Sequence, residues 1–160
     1  MSGKATPATV AARRAKTTFT LHPYEVSAGD GRSYGADAAD ALGVPREQVF
    51  KTLVADVDGV LTVGVVPVST SLDLKALAAA VGGKRAVMAD PDRAEKATGY
   101  VRGGISPLGQ RKRLRTVVDA SAREQRTLYV SAGRRGLQME LAPADLITLT
   151  EAVVAPIGAA

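Results

Sequence analysis

Two β-branched runs, VFKTLVADV (49–57) and VLTVGVVPV (60–68), flank Asp58-Gly59 and carry the clearest period-two pattern in the chain. Runs of that kind on either side of Asp-Gly predict a β-hairpin. A second hairpin is predicted in TLYVSAGRRGLQMEL (127–141), turning at Gly133 to Gly136. TFTLHPY (18–24), RAVMA (85–89) and RTVVDA (115–120) read as further strands. Between them the apolar spacing becomes helical. Thr6 as N-cap and Pro7 at the first helical position open a helix in PATVAARRAK (7–16). A Gly-Ser-Asp loop over 26–33 leads into YGADAADAL (34–42), capped by Ser33 and ended by Gly43. SLDLKALAAAV (71–81) is predicted helical, capped by Ser71 and closed by Gly82-Gly83. Asp90, Pro91 and Gly99 bracket another helix, and Pro143 starts the last one, PADLITLTEAV (143–153).

Strands and helices are interleaved, yet two hairpins interrupt the alternation. That predicts an α/β fold on a mixed parallel/antiparallel sheet rather than a fully parallel one. The 160 residues fit one domain, placed at 6–157, with residues 1–5 as a loose tail. A 46% hydrophobic fraction is enough for a core without a metal or disulfide staple. Aromatics are only 4%, so that core is mostly Val, Leu, Ala and Ile, and a base-stacking surface is disfavoured. The chain has no cysteine and one histidine, which excludes a thiol nucleophile and a soft metal site. No cofactor or metal is expected. The net charge of +5 favours a polyanionic partner. The first residues lack a secretory apolar region and no apolar run approaches a membrane span, so a cytoplasmic protein with no membrane partner is expected.

Lys51 is the first residue out of pattern. With a side-chain period of two it shares a face with Val49, Leu53, Ala55 and Val57. Burying an ammonium there is costly unless it is paired or deprotonated. Either it snorkels from the strand end, or it is held at the mouth of a concave sheet toward a carbonyl or phosphate oxygen. His22 and Tyr24 share the polar side of the first strand with Thr20. A lone histidine is more often structural than catalytic, and Tyr24 suits a core edge or a ligand contact. GYVRGGISPLGQRKR (99–113) combines Gly103-Gly104, a rigidifying Pro107 and a basic run. Such glycines permit close backbone approach to a small polar group. Ser106 is not in a nucleophile elbow, because Leu108 stands where a glycine is required. No Gly-Lys-Ser/Thr follows, so this is not an NTPase phosphate loop. Arg111, Lys112, Arg113 and Arg115 form the densest positive run, extended by Arg134 and Arg135; it is either a solvated face or a seat for phosphates.

Taken together, VFKTL, LDLKALA, MADPDRAEKATGYVRGGISPLGQRKRL and YVSAGRRGLQMELAPADL resemble the YbaK family of Cys-tRNA(Pro) deacylases, within the prolyl-tRNA synthetase editing-domain superfamily. The likeness runs from about Thr6 to the last helix. It implies one α/β domain whose mixed sheet curls into an open barrel with helices around it. It implies trans-editing, the removal of cysteine from mischarged tRNA(Pro), with prolyl-tRNA synthetase as a partner. By position, Lys51 matches the family's essential lysine, and Tyr24 a tyrosine of the pocket. Gly103, Gly104, Ile105, Ser106 and Pro107 match the loop that cradles the aminoacyl group. Gly133, Arg135 and Gly136 match a turn facing the same cleft, and Arg111, Lys112 and Arg113 become the seat for tRNA phosphates. The mechanism implied is attack by the substrate's own thiol on its ester, releasing a thiolactone. Gln138 departs from the pattern, since some relatives carry an aspartate there that is linked to activity. Either that role is dispensable or the specificity differs. The alternatives are an Ala-tRNA(Pro) deacylase on the same fold and a non-catalytic module that binds aminoacyl-tRNA or the synthetase.

Overall fold

The computed structural model describes residues 5–26 and 34–160. Residues 1–4 of the tail expected at 1–5, residues 27–33 of the expected loop and with them the Ser33 cap lie outside these. Helix α1 (Pro7–Arg14) opens on a capping box in which the Thr6 and Thr9 side chains satisfy each other's backbone N–H. It stops two residues short of the predicted end, because Lys16 turns into the left-handed region at φ 58°. Strand β1 is Phe19–Pro23 and α2 is Tyr34–Leu42. The first hairpin pairs β2 (Phe50–Val57) with β3 (Val60–Pro67) through a turn in which both Asp58 and Gly59 take positive φ.

Ser71 does not cap α3. Ser71–Leu72 is instead a short strand, β4, and Asp73 caps α3 (Leu74–Ala80) by accepting the Ala76 N–H at 3.0 Å. The reason lies at the far end of the chain: β4 pairs with Gly158–Ala159, a strand (β10) beyond residue 157. Next come β5 (Ala86–Met88), α4 (Pro91–Thr98), β6 (Arg115–Asp119), β7 (Leu128–Arg134) and β8 (Leu137–Leu141). In the second hairpin a bulge between Ser131 and Arg134 absorbs Gly133, so the turn falls at Arg135-Gly136. Helix α5 (Pro143–Thr150) is shorter than predicted. Glu151 ends it in the left-handed region at φ 53°, and Val153–Ala155 form β9, parallel to β6.

The mixed sheet is as expected. Five strands are ordered β5-β2-β3-β6-β9, with β6 and β9 parallel to their neighbours and the rest antiparallel. A separate antiparallel ladder is ordered β1-β8-β7, and a single parallel bridge, Val49–Tyr129, joins it to the larger sheet. Strand alternation divides the core. Phe50, Val54, Val63, Val65 and Val118 face the main core with Leu128, Val130, Leu137, Met139, Leu141 and Leu146. Ala55, Val57, Val66 and Val117 face the other way, onto Leu77 and Ala78 of α3 and onto Ile157. Leu77 is wholly buried, which contributes about 1.5–3 kcal/mol. Among the described residues no helix is long and apolar enough to cross a membrane.

Candidate functional site

A cleft of about 370 Å³ opens where the two ladders part. Beyond the Val49–Tyr129 bridge no ladder joins β7 to β2, and β5 pairs with β2 only at Ala55–Val57. Residues 50–54 of β2 therefore border an opening rather than a neighbouring strand. Phe50, Lys51, Thr52, Leu53 and Val54 form one side of the cleft, and Ser131 and Gln138 another. Met88, Ala89, Pro91 and Ala94 supply an apolar wall from β5 and α4. Tyr24, Arg102, Gly103 and Ile105 complete the lining.

Lys51 thus stands at the mouth of a cleft, on the face it shares with Leu53, Ala55 and Val57. It is half-buried, and burial lowers its pKa below the ordinary lysine range. Tyr24 reaches the same cleft because its backbone N–H donates to the Gly136 carbonyl at 2.9 Å. Gly136, at φ 84°, also allows this approach, since a side chain there would press on the Tyr24 carbonyl at 3.0 Å.

The Gly-rich loop divides into parts. Gly103 and Ile105 line the cleft, while Gly104 is packed away from it. A Cβ on Gly104 would lie 2.8 Å from the Arg134 Cα, so the close backbone approach it permits is to the second hairpin turn. Ser106 is fully buried; its Oγ accepts the Leu108 N–H at 3.2 Å and its carbonyl accepts from Gln110 Nε2 at 2.9 Å. The Tyr100 hydroxyl donates to the Leu108 carbonyl at 2.6 Å, and its burial pushes its pKa up to about 12. Ser106 and Tyr100 hold the loop's shape and neither lines the cleft. Pro107 borders a second cleft of about 230 Å³, shared with Leu108, Gly109 and Arg113.

The basic residues are likewise divided. Arg111 and Lys112 donate their backbone N–H groups to the carbonyls of Thr98 and Ala97 at the end of α4, at 2.9 and 3.0 Å. Arg113 pairs with Glu151 at 3.0 Å. None of the three lines the larger cleft. Gly133 and Arg135 do not line it either, but they shape the turn on which the loop rests. A Cβ on Gly133 would meet the Tyr100 ring at 2.9 Å, and Arg135 Nε donates to the Arg102 carbonyl at 3.4 Å.

The pattern did not single out Arg102. It lines the cleft beside Gly103, and its N–H and Nε donate to Glu95 at 2.8 and 3.1 Å while Nη2 reaches Asp92 at 3.1 Å. These bonds tie the loop to α4, and the Glu95 carboxylate raises the guanidinium pKa further. Thr52 and Ser131 were also missed. Period two puts Thr52 on the core face, and the bulge hides the pairing of Ser131 with Gln138. Gln138 is 6% exposed and its Oε1 has no partner; Thr52 Oγ1 is also buried without one. His22 is structural: it contacts Glu140 at 2.9 Å and packs its ring against Tyr129 at 5.1 Å.

The family model of the aminoacyl-tRNA editing domain matches residues 30–149. An Enterococcus faecalis protein, provisionally named Cys-tRNA(Pro)/Cys-tRNA(Cys) deacylase EbsC, is 38% identical over 136 residues, 84% of this chain and 82% of that one. Among solved structures, hypothetical protein APE2540 superposes with a TM-score of 0.82 at 25% identity, over 96% of this chain and 99% of the other. A protein provisionally described as a trans-editing enzyme for prolyl tRNA synthetase superposes with a TM-score of 0.82 at 23% identity, over 100% and 99%. At that identity the likeness carries the fold.

Proposed function

From the premise that this chain belongs to the aminoacyl-tRNA editing domain family, we propose that it is a deacylase that removes cysteine from mischarged Cys-tRNA(Pro). The observation that carries the reading is the half-buried Lys51 at the mouth of a cleft whose described lining holds no His, Cys, Asp or Glu. No hydroxyl of that lining is hydrogen-bonded to a base: Ser131 Oγ accepts the Gly133 N–H at 3.1 Å and Thr52 Oγ1 has no partner, so no nucleophile–base pair is assembled there. The lining suits a substrate that brings its own nucleophile. In that step the cysteine sulfur attacks the ester carbonyl carbon. A C–S bond forms, the C–O bond to the ribose breaks, and the thiol proton ends on the departing ribose oxygen. The products are the free tRNA end and a cyclic thiolactone. Lys51 stabilises charge developing on the oxygens, and its partial desolvation strengthens that interaction. Gly103 and Ile105 hold the aminoacyl group through the loop backbone, which keeps the thiol close to the ester.

The same reading takes residues 6–157 as one editing unit in the cytoplasm and treats the bridged ladders as segments of one sheet curled as an open barrel. It takes Arg111, Lys112 and Arg113 as the seat for tRNA phosphates and prolyl-tRNA synthetase as a partner. The test is single-turnover deacylation of Cys-, Ala- and Pro-tRNA(Pro), with Lys51→Ala as control. Loss of Cys-tRNA(Pro) alone, dependent on Lys51, is expected. Cleavage of Ala-tRNA(Pro) would replace the thiol mechanism with attack by water. Full turnover by a folded Lys51→Ala protein, or no turnover of any substrate, would sink the assignment.

A further inference from the structure

The direction of the Thr52 backbone follows from the pairing around it. In antiparallel pairs, successive residues turn their N–H and C=O to opposite neighbours. The Val68 N–H donates to the Val49 carbonyl from the β3 side at 2.8 Å, and the Ala89 N–H donates to the Val54 carbonyl from the β5 side at 3.1 Å. Val49, Lys51 and Leu53 therefore bond toward β3, while Phe50, Thr52 and Val54 face away from it. β5 has ended before it reaches Thr52, and β7 shares no ladder with β2, its bridge being to Val49, just before β2 begins. The N–H and C=O of Thr52 thus point into the gap that forms the cleft.

The side chains add to this. Thr52 and Gln138 both line the cleft, and their Oγ1 and Oε1 are buried with no hydrogen-bond partner. Leaving two such atoms unpaired costs stability, and a bound donor removes the cost. Lys51 brings positive charge to the cleft, Arg102 is already paired with Glu95 and Asp92, and no carboxylate stands among the described lining residues. The group that belongs against these acceptors is a hydrogen-bond donor held without an ion pair.

Resting on the reading of the cleft as an aminoacyl-ester site, we propose that Gln138 and Thr52 form the subsite for the α-amino group of the substrate. The amine donates to Gln138 Oε1 and Thr52 Oγ1. This recognises a feature common to aminoacyl esters, whatever their side chain. It disfavours esters whose amine is acylated, because acylation removes a donor and adds bulk at a closed wall. A peptidyl ester is of that kind, so the subsite separates free aminoacyl groups from growing chains.

The test is calorimetric titration with two non-hydrolysable probes, 3′-cysteinylamido-3′-deoxyadenosine and its 3-mercaptopropionyl counterpart, which lacks only the α-amine. Wild type is expected to bind the amine-bearing probe about tenfold more tightly. In Gln138→Leu and Thr52→Val the preference for the amine-bearing probe is expected to fall to about twofold. Equal wild-type affinity for the two probes overturns the proposal without touching the deacylase assignment, and needs no variant to fold. A preference that survives in both variants also overturns it. If wild type binds neither probe and cleaves no Cys-tRNA(Pro), the aminoacyl-ester reading falls, and the subsite with it.

Discussion

Gly104→Ala tests whether the second hairpin turn positions the loop of the cleft. A methyl group at 104 would lie 2.8 Å from Arg134 Cα and 3.0 Å from both the Arg134 carbonyl carbon and the Arg135 nitrogen, where ordinary contact begins at 3.4 Å. These are backbone atoms, so no rotamer change relieves the overlap. Loop and turn must part by several tenths of an ångström, and overpacking of that kind costs about 1–3 kcal/mol. For a domain of this size each kcal/mol lowers Tm by about 2–4 °C. Gly103 and Ile105, on either side, line the cleft and move with the loop. A misplacement approaching 1 Å costs on the order of a hundredfold in rate, so turnover falls further than stability does. Gly82→Ala is the control, because φ there is +71° and nothing lies within 4 Å of the added methyl. It is expected to lose about 1–2 kcal/mol from backbone strain with no change in rate. Urea denaturation and single-turnover deacylation of Cys-tRNA(Pro), run on both variants, make the comparison. If the two variants lose stability and rate alike, or if Gly104→Ala retains the wild-type rate, the turn does not set the loop.

Lys51→Met is expected to abolish turnover while stabilising the fold, because burial disfavours the ammonium. Its folded pKa is depressed, so the destabilisation is fully present below that value and shrinks as pH rises through it toward the unfolded value. The advantage of Lys51→Met over wild type in denaturant melts should therefore narrow at alkaline pH; a gap that widens would contradict this. Asp119 is buried, which raises its pKa, but bonds from the Ser121 hydroxyl and the Gly158, Ile157 and Ser121 N–H groups outweigh burial and lower it. Its contribution to stability is present above the unfolded carboxylate pKa and is lost as pH falls through the folded value. Asp119→Asn should cost about 1–3 kcal/mol and raise hydrogen exchange across 153–159 first, with uniform exchange as the contrary result. If Arg111 and Lys112 seat phosphates, replacing both with Ala should lower the salt slope of tRNA affinity by about 1.5 and leave Lys51-dependent chemistry intact; an unchanged slope would move the phosphate seat elsewhere.

The hairpins, four of the five helix starts and the odd placement of Lys51 were legible because each rests on local rules: alternation, caps and turn residues. What was not legible depends on distant pairing. Ser71 looks like a helix cap until Gly158–Ala159 lies beside it as a strand partner. Val153 looks like the last turn of a helix until β6 offers a parallel edge. Ser106 lay in a motif suited to a ligand, yet it is buried and bonds to its own loop. Gly104 was rightly read as needing close backbone approach, but what approaches is another part of the same chain.

The cleft is the place where several of the fold's own rules are broken together. β2 alternates cleanly and is paired with β3 along its whole length, but its other edge is uncovered between the Val49–Tyr129 bridge and β5. A cation is half-buried on a strand face that is otherwise apolar, and two polar atoms are buried without partners. Each departure weakens the fold, and each lies on a strand paired within a hairpin. That arrangement fits a site in which charge and acceptors must be aimed before substrate arrives, with little reorganisation left for the reacting step. It also places the work differently from the Gly-rich loop, whose glycine and serine mainly fix the loop to the second hairpin. Substitutions at the polar cleft positions of β2, Lys51 and Thr52, should therefore change the chemistry with little loss of fold, and substitutions in the loop should change the two together.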